Sequence, residues 1–219
     1  MIRGVALDMD GLLFDTEGLY WEVGDQLLMR RGHRFCKGLQ KRMMGRVGVA
    51  AMQEMVDYFS LADSAEAMLQ ESDELFSGMI ERGVEEMPGL SDWIEFLNRS
   101  ALPFGLATSS RRKFVEVIFE QIPWRENLAF TLTGDDVSRG KPDPEIYQMA
   151  ARQLGIPTHQ MLVLEDSGNG CAAAVASGAC TVAVPSPHTK DQDFDGATLV
   201  AESLLDPRLW ELVRASLPG

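Results

Sequence analysis

Cysteine is scarce in this sequence. Cys36, Cys171 and Cys180 are odd in number and form no CxxC pair. That argues against a disulfide framework or a zinc site and suits a reducing cytosol, so a cytoplasmic location is expected. No apolar run approaches the ~18 residues of a membrane span. Met1 is not followed by the basic and apolar regions of a secretory signal. Repeats and low-complexity segments are also missing. Positive charge is short overall: 20 Lys and Arg stand against 33 Asp and Glu, a net charge of −13. That balance argues against nucleic acid or an anionic membrane as partner.

One local absence has the opposite sign. Between Gln26 and Gln53 there is no acidic residue, while Arg30, Arg31, Arg34, Lys37, Lys41, Arg42 and Arg46 fall in those 28 positions. Two readings stay open. The window is a solvated basic helix face, or it attracts an anionic small molecule that the rest of the surface repels.

The length allows one or two domains, and 45% apolar content is ordinary for a globular chain with a sizeable core. Buried strands are expected over residues 1–7, 103–107, 161–164 and 181–184, with a candidate edge at 130–132. Helices are expected over 90–98, 111–120, 143–154 and 170–177, with weaker helical character after Asp206. Strands that alternate with helices imply an α/β fold with a parallel sheet covered on both faces. Thr16 suits an N-cap for a helix running to about Arg31, which Gly32 would end. From Leu39 to about Gly83 the spacing is helical (Met44, Val47, Ala51, Met55, Tyr58 and Phe59, then Leu69, Leu75, Phe76 and Met79). The block 17–87 therefore reads as an all-helical insertion between 1–16 and 88–219.

In such sheets functional residues gather at the carboxyl ends of strands. The first strand ends in Asp8 and Asp10, two like charges two residues apart, an arrangement that a divalent cation would relieve. The second ends in Thr108-Ser109-Ser110. The edge at 130–132 leads through Asp135-Asp136, read as a solvated turn, to Lys141. The strand ending at Leu164 runs into Glu165-Asp166 and a glycine-rich helix start. Together these are the parts of a phosphoryl-transfer site. A carboxylate attacks phosphorus, Mg²⁺ neutralises oxygens, a hydroxyl and an ammonium hold the rest, and a second carboxylate moves protons. Each piece alone has a plain structural reading, as strand-end turn, loop lysine or acidic helix start.

The segments DMDGLLFDTE (8–17), LATSS (106–110), GKPDPEIY (140–147) and LEDSGNG (164–170), with MMGR (43–46) and MPG (87–89), resemble the haloacid dehalogenase-like hydrolase superfamily. Its β-phosphoglucomutase-like and pseudouridine 5′-phosphatase-like members look most similar. The resemblance implies a Rossmann-like core with a helical cap over 17–87. It implies Asp8 as nucleophile, Asp10 as general acid/base, and Thr108 and Lys141 as phosphate-holding groups. The Mg²⁺ ligands it implies are Asp8, Asp10 through its carbonyl, Asp166 and Glu165, the last directly or through water. Ser109, Arg46, Gly45 and Glu17 are the implied substrate contacts. A monomer acting on a small phosphorylated metabolite is expected.

Three reactions compete. Dehalogenases of the superfamily lack the second aspartate and need no metal, so Asp10 and Glu165-Asp166 argue against dehalogenation. A sugar phosphate mutase resembling β-phosphoglucomutase needs a cap histidine and an arginine close behind the cap glycine. Here Tyr20 replaces the histidine and Arg46 is out of register, which favours water as acceptor and hydrolysis as the reaction. A non-catalytic phosphometabolite binder is the third reading, and the retention of every catalytic element weighs against it.

Overall fold

The computed structural model describes residues 1–43, 46 and 48–216. In chain order, strand β1 (Gly4–Leu7) is followed by helices α1 (Glu17–Met29), α2 (Lys37–Met43), α3 (Val49–Phe59) and α4 (Ala65–Ile80). Then come α5 (Leu90–Arg99), β2 (Phe104–Ala107), α6 (Arg112–Glu120), β3 (Leu128–Leu132), α7 (Glu145–Leu154) and β4 (Met161–Glu165). The chain ends with α8 (Gly168–Ser177), β5 (Cys180–Ala183), β6 (Leu199–Val200) and α9 (Pro207–Arg214). By its contacts the chain divides into two compact units, Thr16–Gly83 and the combination of Met1–Asp15 with Val84–Gly219.

The larger unit holds one six-stranded sheet in the order β3-β2-β1-β4-β5-β6, with every neighbouring pair parallel. β1, β2 and β4 are buried along their whole length, as expected of strands covered on both faces. Helices supply that cover with apolar stripes at helical spacing. Leu90, Trp93, Ile94 and Leu97 form the buried stripe of α5, and Phe114, Val115, Ile118 and Phe119 that of α6. On one face Tyr147 and Ala150 of α7 and Ala173 and Ala174 of α8 pack with Ala6, Ala107 and Val163. The expected α/β parallel-sheet architecture is therefore the one observed.

The strand order places the site. From β1 the chain steps outward to β2 and β3, then returns to the other side of β1 as β4 and continues to β5 and β6. The order thus reverses between β1 and β4, where open α/β sheets form a crevice at their carboxyl edge. Leu7 lies in register with both Leu106 and Leu164, so the residues following these three positions emerge side by side.

The helical unit contains α1 to α4. Ala51, Met52, Met55 and Val56 of α3 and Met68, Phe76, Met79 and Ile80 of α4 are buried, whereas Tyr58 is exposed on one side. Met44 and Val47, expected on these faces, lie outside the described residues. Ser64 caps α4 by accepting from the Ala67 N–H at 3.2 Å.

Several local expectations need correction. Thr16 occupies the N-cap of α1, but its backbone is already in the α region and its side chain makes no capping bond. α1 ends at Met29, and the first strand begins at Gly4. β6 was not expected; two residues are too few to show a period. Among the described residues no helix is long and apolar enough to cross a membrane.

Candidate active site

Four loops leave the carboxyl edge of the sheet and bring their polar residues together. Asp8 follows β1, Thr108 follows β2, and Glu165 and Asp166 close β4. Lys141 lies in the loop before α7. Glu165 is fully buried, and Asp8 and Asp166 are only 6% and 3% exposed. Carboxylates are rarely buried this deeply without a cation beside them.

Lys141 provides one such cation. Its Nζ donates to Asp8 Oδ1 at 2.5 Å, to Glu165 Oε1 at 2.6 Å and to the Ala107 carbonyl at 2.9 Å. Burial alone would lower the ammonium's pKa, but the Asp8 and Glu165 charges overcome it and hold Lys141 above lysine's ordinary range. The Asp8 carboxyl is pushed up to about 8, first by burial and further by Glu165 and Asp10, with Lys141 pulling the other way.

Asp8, Glu165 and Asp166 present carboxylate oxygens within 4.8 Å of one another. With all three carboxylates ionised, the cluster and the ammonium sum to −2, the charge that a bound divalent cation would cancel, and such a cation would favour the ionised Asp8. Oxygen donors of this kind suit a hard cation such as Mg²⁺. Two glycines make room for the cluster. A Cβ on Gly11, where φ is +74°, would overlap the Asp166 carboxylate, and one on Gly170 would overlap that of Glu165. Thr189 donates to Asp166 Oδ2 at 3.3 Å.

Asp10 is oriented differently. Its Oδ2 accepts from Thr108 Oγ1 at 3.1 Å and from Ser110 Oγ at 2.7 Å, so its side chain faces hydroxyls rather than joining the three clustered carboxylates. Thr108 Oγ1 in turn accepts from the Ser110 N–H at 3.0 Å. Ser109 is exposed beside them.

Four participants went unassigned at the sequence level: Tyr147, Ser110, Ser167 and Thr189. Tyr147 closes the GKPDPEIY segment and donates to Glu165 Oε1 at 2.7 Å. Ser167 donates to Glu165 Oε2 from both its N–H and its Oγ. Asp135 and Asp136 form more than a solvated turn. Asp136 caps the turn at Thr133 and pairs with Arg112, whose N–H donates to Asp135.

The remaining expected contacts belong to the helical unit. Glu17 opens α1, and Gly45 lies outside the described residues. Arg46 pairs with Glu54 at 3.0 Å, and Arg42 reaches the same carboxylate at 2.7 Å. All five arginines of the acid-free window meet a carboxylate: Arg30 and Arg31 share Glu71, Arg31 also reaches Asp63, and Arg34 pairs with Asp25. Within this unit the window's arginines are paired, while Lys37 and Lys41 are exposed.

Comparison with known proteins gives a consistent picture. The chain is 33% identical over 211 residues to a Drosophila melanogaster protein named "Probable pseudouridine-5'-phosphatase", covering 92% of this chain and 89% of that one. It is 31% identical over 206 residues to the bifunctional riboflavin kinase/FMN phosphatase of Arabidopsis thaliana; 94% of this chain matches but only 54% of that longer protein. The crystal structure of CbbY from Rhodobacter sphaeroides in complex with phosphate superposes with a TM-score of 0.79 at 25% identity, covering 93% and 95% of the two chains. Residues 5–184, from β1 through the end of β5, match the family model described as haloacid dehalogenase-like hydrolase, and the chain belongs to that family.

Proposed function

We propose that this chain is a Mg²⁺-dependent phosphomonoester hydrolase that acts on a small phosphorylated metabolite through a phosphoaspartate on Asp8. One observation carries the reading: a cluster of three buried carboxylates held against Lys141, with a separate carboxylate, Asp10, beside the Thr108 hydroxyl. Relatives named as phosphatases, and a phosphate bound in a protein of the same fold, support it.

Asp8 and Asp166 would hold the cation, which when bound supplies charge neutralisation at the transferring phosphoryl group. An Asp8 oxygen attacks phosphorus as the ester oxygen departs, and Lys141 and Thr108 hold two of the remaining oxygens. Asp10, kept aside by Thr108 and Ser110, donates its proton to the leaving alkoxide. It then takes a proton from the water that hydrolyses the phosphoaspartate. Residues 1–16 and 88–219 serve as the catalytic core, and 17–87 as a cap that selects the substrate, with Glu17, Gly45, Arg46 and Ser109 as contacts. Three free cysteines fit a cytoplasmic setting, and a monomer suffices for the chemistry.

The test is phosphate release from p-nitrophenyl phosphate with Mg²⁺ and with EDTA, followed by a panel of sugar phosphates and nucleotides. Mg²⁺-dependent release is expected. Conversion of β-glucose 1-phosphate to the 6-phosphate with no phosphate release would replace hydrolysis by mutase chemistry, and neither reaction would leave a binder.

A further inference from the structure

Tyr147 takes no part in the mechanism above, yet it touches the site twice. Its hydroxyl donates to Glu165 Oε1, the oxygen that also accepts from Lys141. The face of its ring lies 5.0 Å from Lys141 Nζ, within reach of a cation–π contact. The side chain is fully buried in the first turn of α7, the helix that follows the lysine loop.

The donors and acceptors around Lys141 can be counted. An ammonium has three N–H donors, and all three are engaged, by Asp8, Glu165 and the Ala107 carbonyl. To hold a phosphoryl oxygen, Lys141 must give one of them up. The Ala107 carbonyl is fixed main chain, so the choice falls between the two carboxylates.

Glu165 is held on every side. Oε1 takes Tyr147 and Lys141, and Oε2 takes the Ser167 N–H and Oγ at 3.2 and 3.0 Å. A carboxylate offers about four lone-pair directions, and these four donors fill them. Glu165 therefore has an anchor's environment, whereas Asp8 accepts from Lys141 and adjoins the other carboxylates.

We propose that Tyr147 is a positioning residue: its hydroxyl fixes Glu165 as the permanent counter-ion of Lys141, so that the ammonium leaves Asp8 rather than Glu165 when a phosphoryl group arrives. Asp8 is thereby freed to attack, and the cation is held by Asp8 and Asp166 with Glu165 outside its direct ligands. Without the hydroxyl, Glu165 Oε1 keeps only one of its two donors, and Lys141 loses its fixed bearing.

This inference rests on the phosphatase reading, and the test separates the two. Tyr147→Phe removes only the hydroxyl and keeps the ring, so far-UV circular dichroism should match wild type. Hydrogen bonds to charged groups are worth enough that kcat should fall about tenfold or more. KM for p-nitrophenyl phosphate should stay within about twofold. The Mg²⁺ concentration that half-saturates the thermal-shift response, read without substrate, should also stay within about twofold. A kcat within about twofold of wild type overturns the proposal. So does a rise of about tenfold in that half-saturating Mg²⁺ concentration, because Tyr147 would then serve a direct metal ligand. A loss of melting temperature with kcat unchanged would make Tyr147 merely structural. Failure of wild type to turn over with Mg²⁺ would instead sink the phosphatase reading, whatever the variant does.

Discussion

The two units of this chain treat charge in opposite ways. In the helical unit every arginine between Gln26 and Gln53 meets a carboxylate, and those carboxylates come from just outside the window (Asp25 and Glu54) or further along the chain (Asp63 and Glu71). In the sheet unit three carboxylates are buried at the switch point, and the one lysine beside them pairs with only two, Asp8 and Glu165. Paired charge of the first kind holds helices together. Unbalanced charge of the second kind costs stability unless something else is bound, and folds tolerate such a cost at functional sites. The shifts agree: Arg31 holds Asp63 and Glu71 below the usual carboxylate range, while burial drives Asp8 above it.

The contrast predicts where substitutions hurt. Asp8→Asn should lower phosphatase kcat by at least about 10³-fold with the fold intact, because the nucleophile has no substitute. Circular dichroism and a phosphate-release assay check both halves, and wild-type-like turnover would refute the covalent mechanism. Lys141→Met leaves three clustered carboxylates with no ammonium among them. Removing one partner from a buried ion pair costs about 3–5 kcal/mol, and urea melts of the metal-free protein should show a loss of that order. If the loss is below about 1 kcal/mol, the cluster is not charge-stressed and the contrast between the units fails.

Divalent cation should stabilise one unit and leave the other alone. A ligand that binds only the folded state at about 100 times its Kd adds about 2.7 kcal/mol. Mg²⁺ should therefore raise the melting temperature and EDTA reverse the gain, with hydrogen-exchange protection growing at the ends of β1 and β4. Equal protection of α1 and α4 would show that the cation is not confined to the Asp8–Asp166 cluster.

How much of this was legible in the sequence follows from what each residue does locally. Asp8, Thr108 and Glu165-Asp166 each follow a short apolar strand at a fixed offset, and strand ends in a parallel sheet are where polar residues converge. The Tyr147 and Ser167 hydroxyls carry no such mark, because hydroxyls serve caps, turns and cores alike. Their role depends on where Glu165 lands, which is a tertiary fact. The pairing of Arg46 with Glu54 was equally hidden. Helical period relates residues three or four apart, whereas this pair is separated by the start of α3. The window's arginines thus looked free only because their partners lie outside it.

Acid should separate the units again, by a smaller amount. Asp63 and Glu71 have folded pKa values below their unfolded ones, chiefly through hydrogen bonds from Arg31. Their contribution is complete above the ordinary carboxylate range of about 4 and is lost as pH falls through the lowered values. Hydrogen exchange in α1 and α4 should accelerate below about pH 4 before the sheet loosens, and Arg31→Met should flatten that dependence. If the sheet loosens first, Arg31 is not what holds these helices.

The smallest effect should come from Arg34, and it tests whether balance or burial matters more within the helical unit. Arg34 is paired, as Arg31 is, but its side chain is 70% exposed against 16% for Arg31. Arg31 also donates to the Leu27 carbonyl at 2.8 Å and bridges two carboxylates. Asp25, the partner of Arg34, keeps a second donor, the Phe35 N–H at 3.0 Å. An exposed pair is screened by water, so Arg34→Gln should change stability by no more than about 0.5 kcal/mol in a urea melt. A loss of 2 kcal/mol would mean that surface pairing alone stabilises this unit. The comparison with the sheet unit would then rest on the number of ion pairs rather than on their burial.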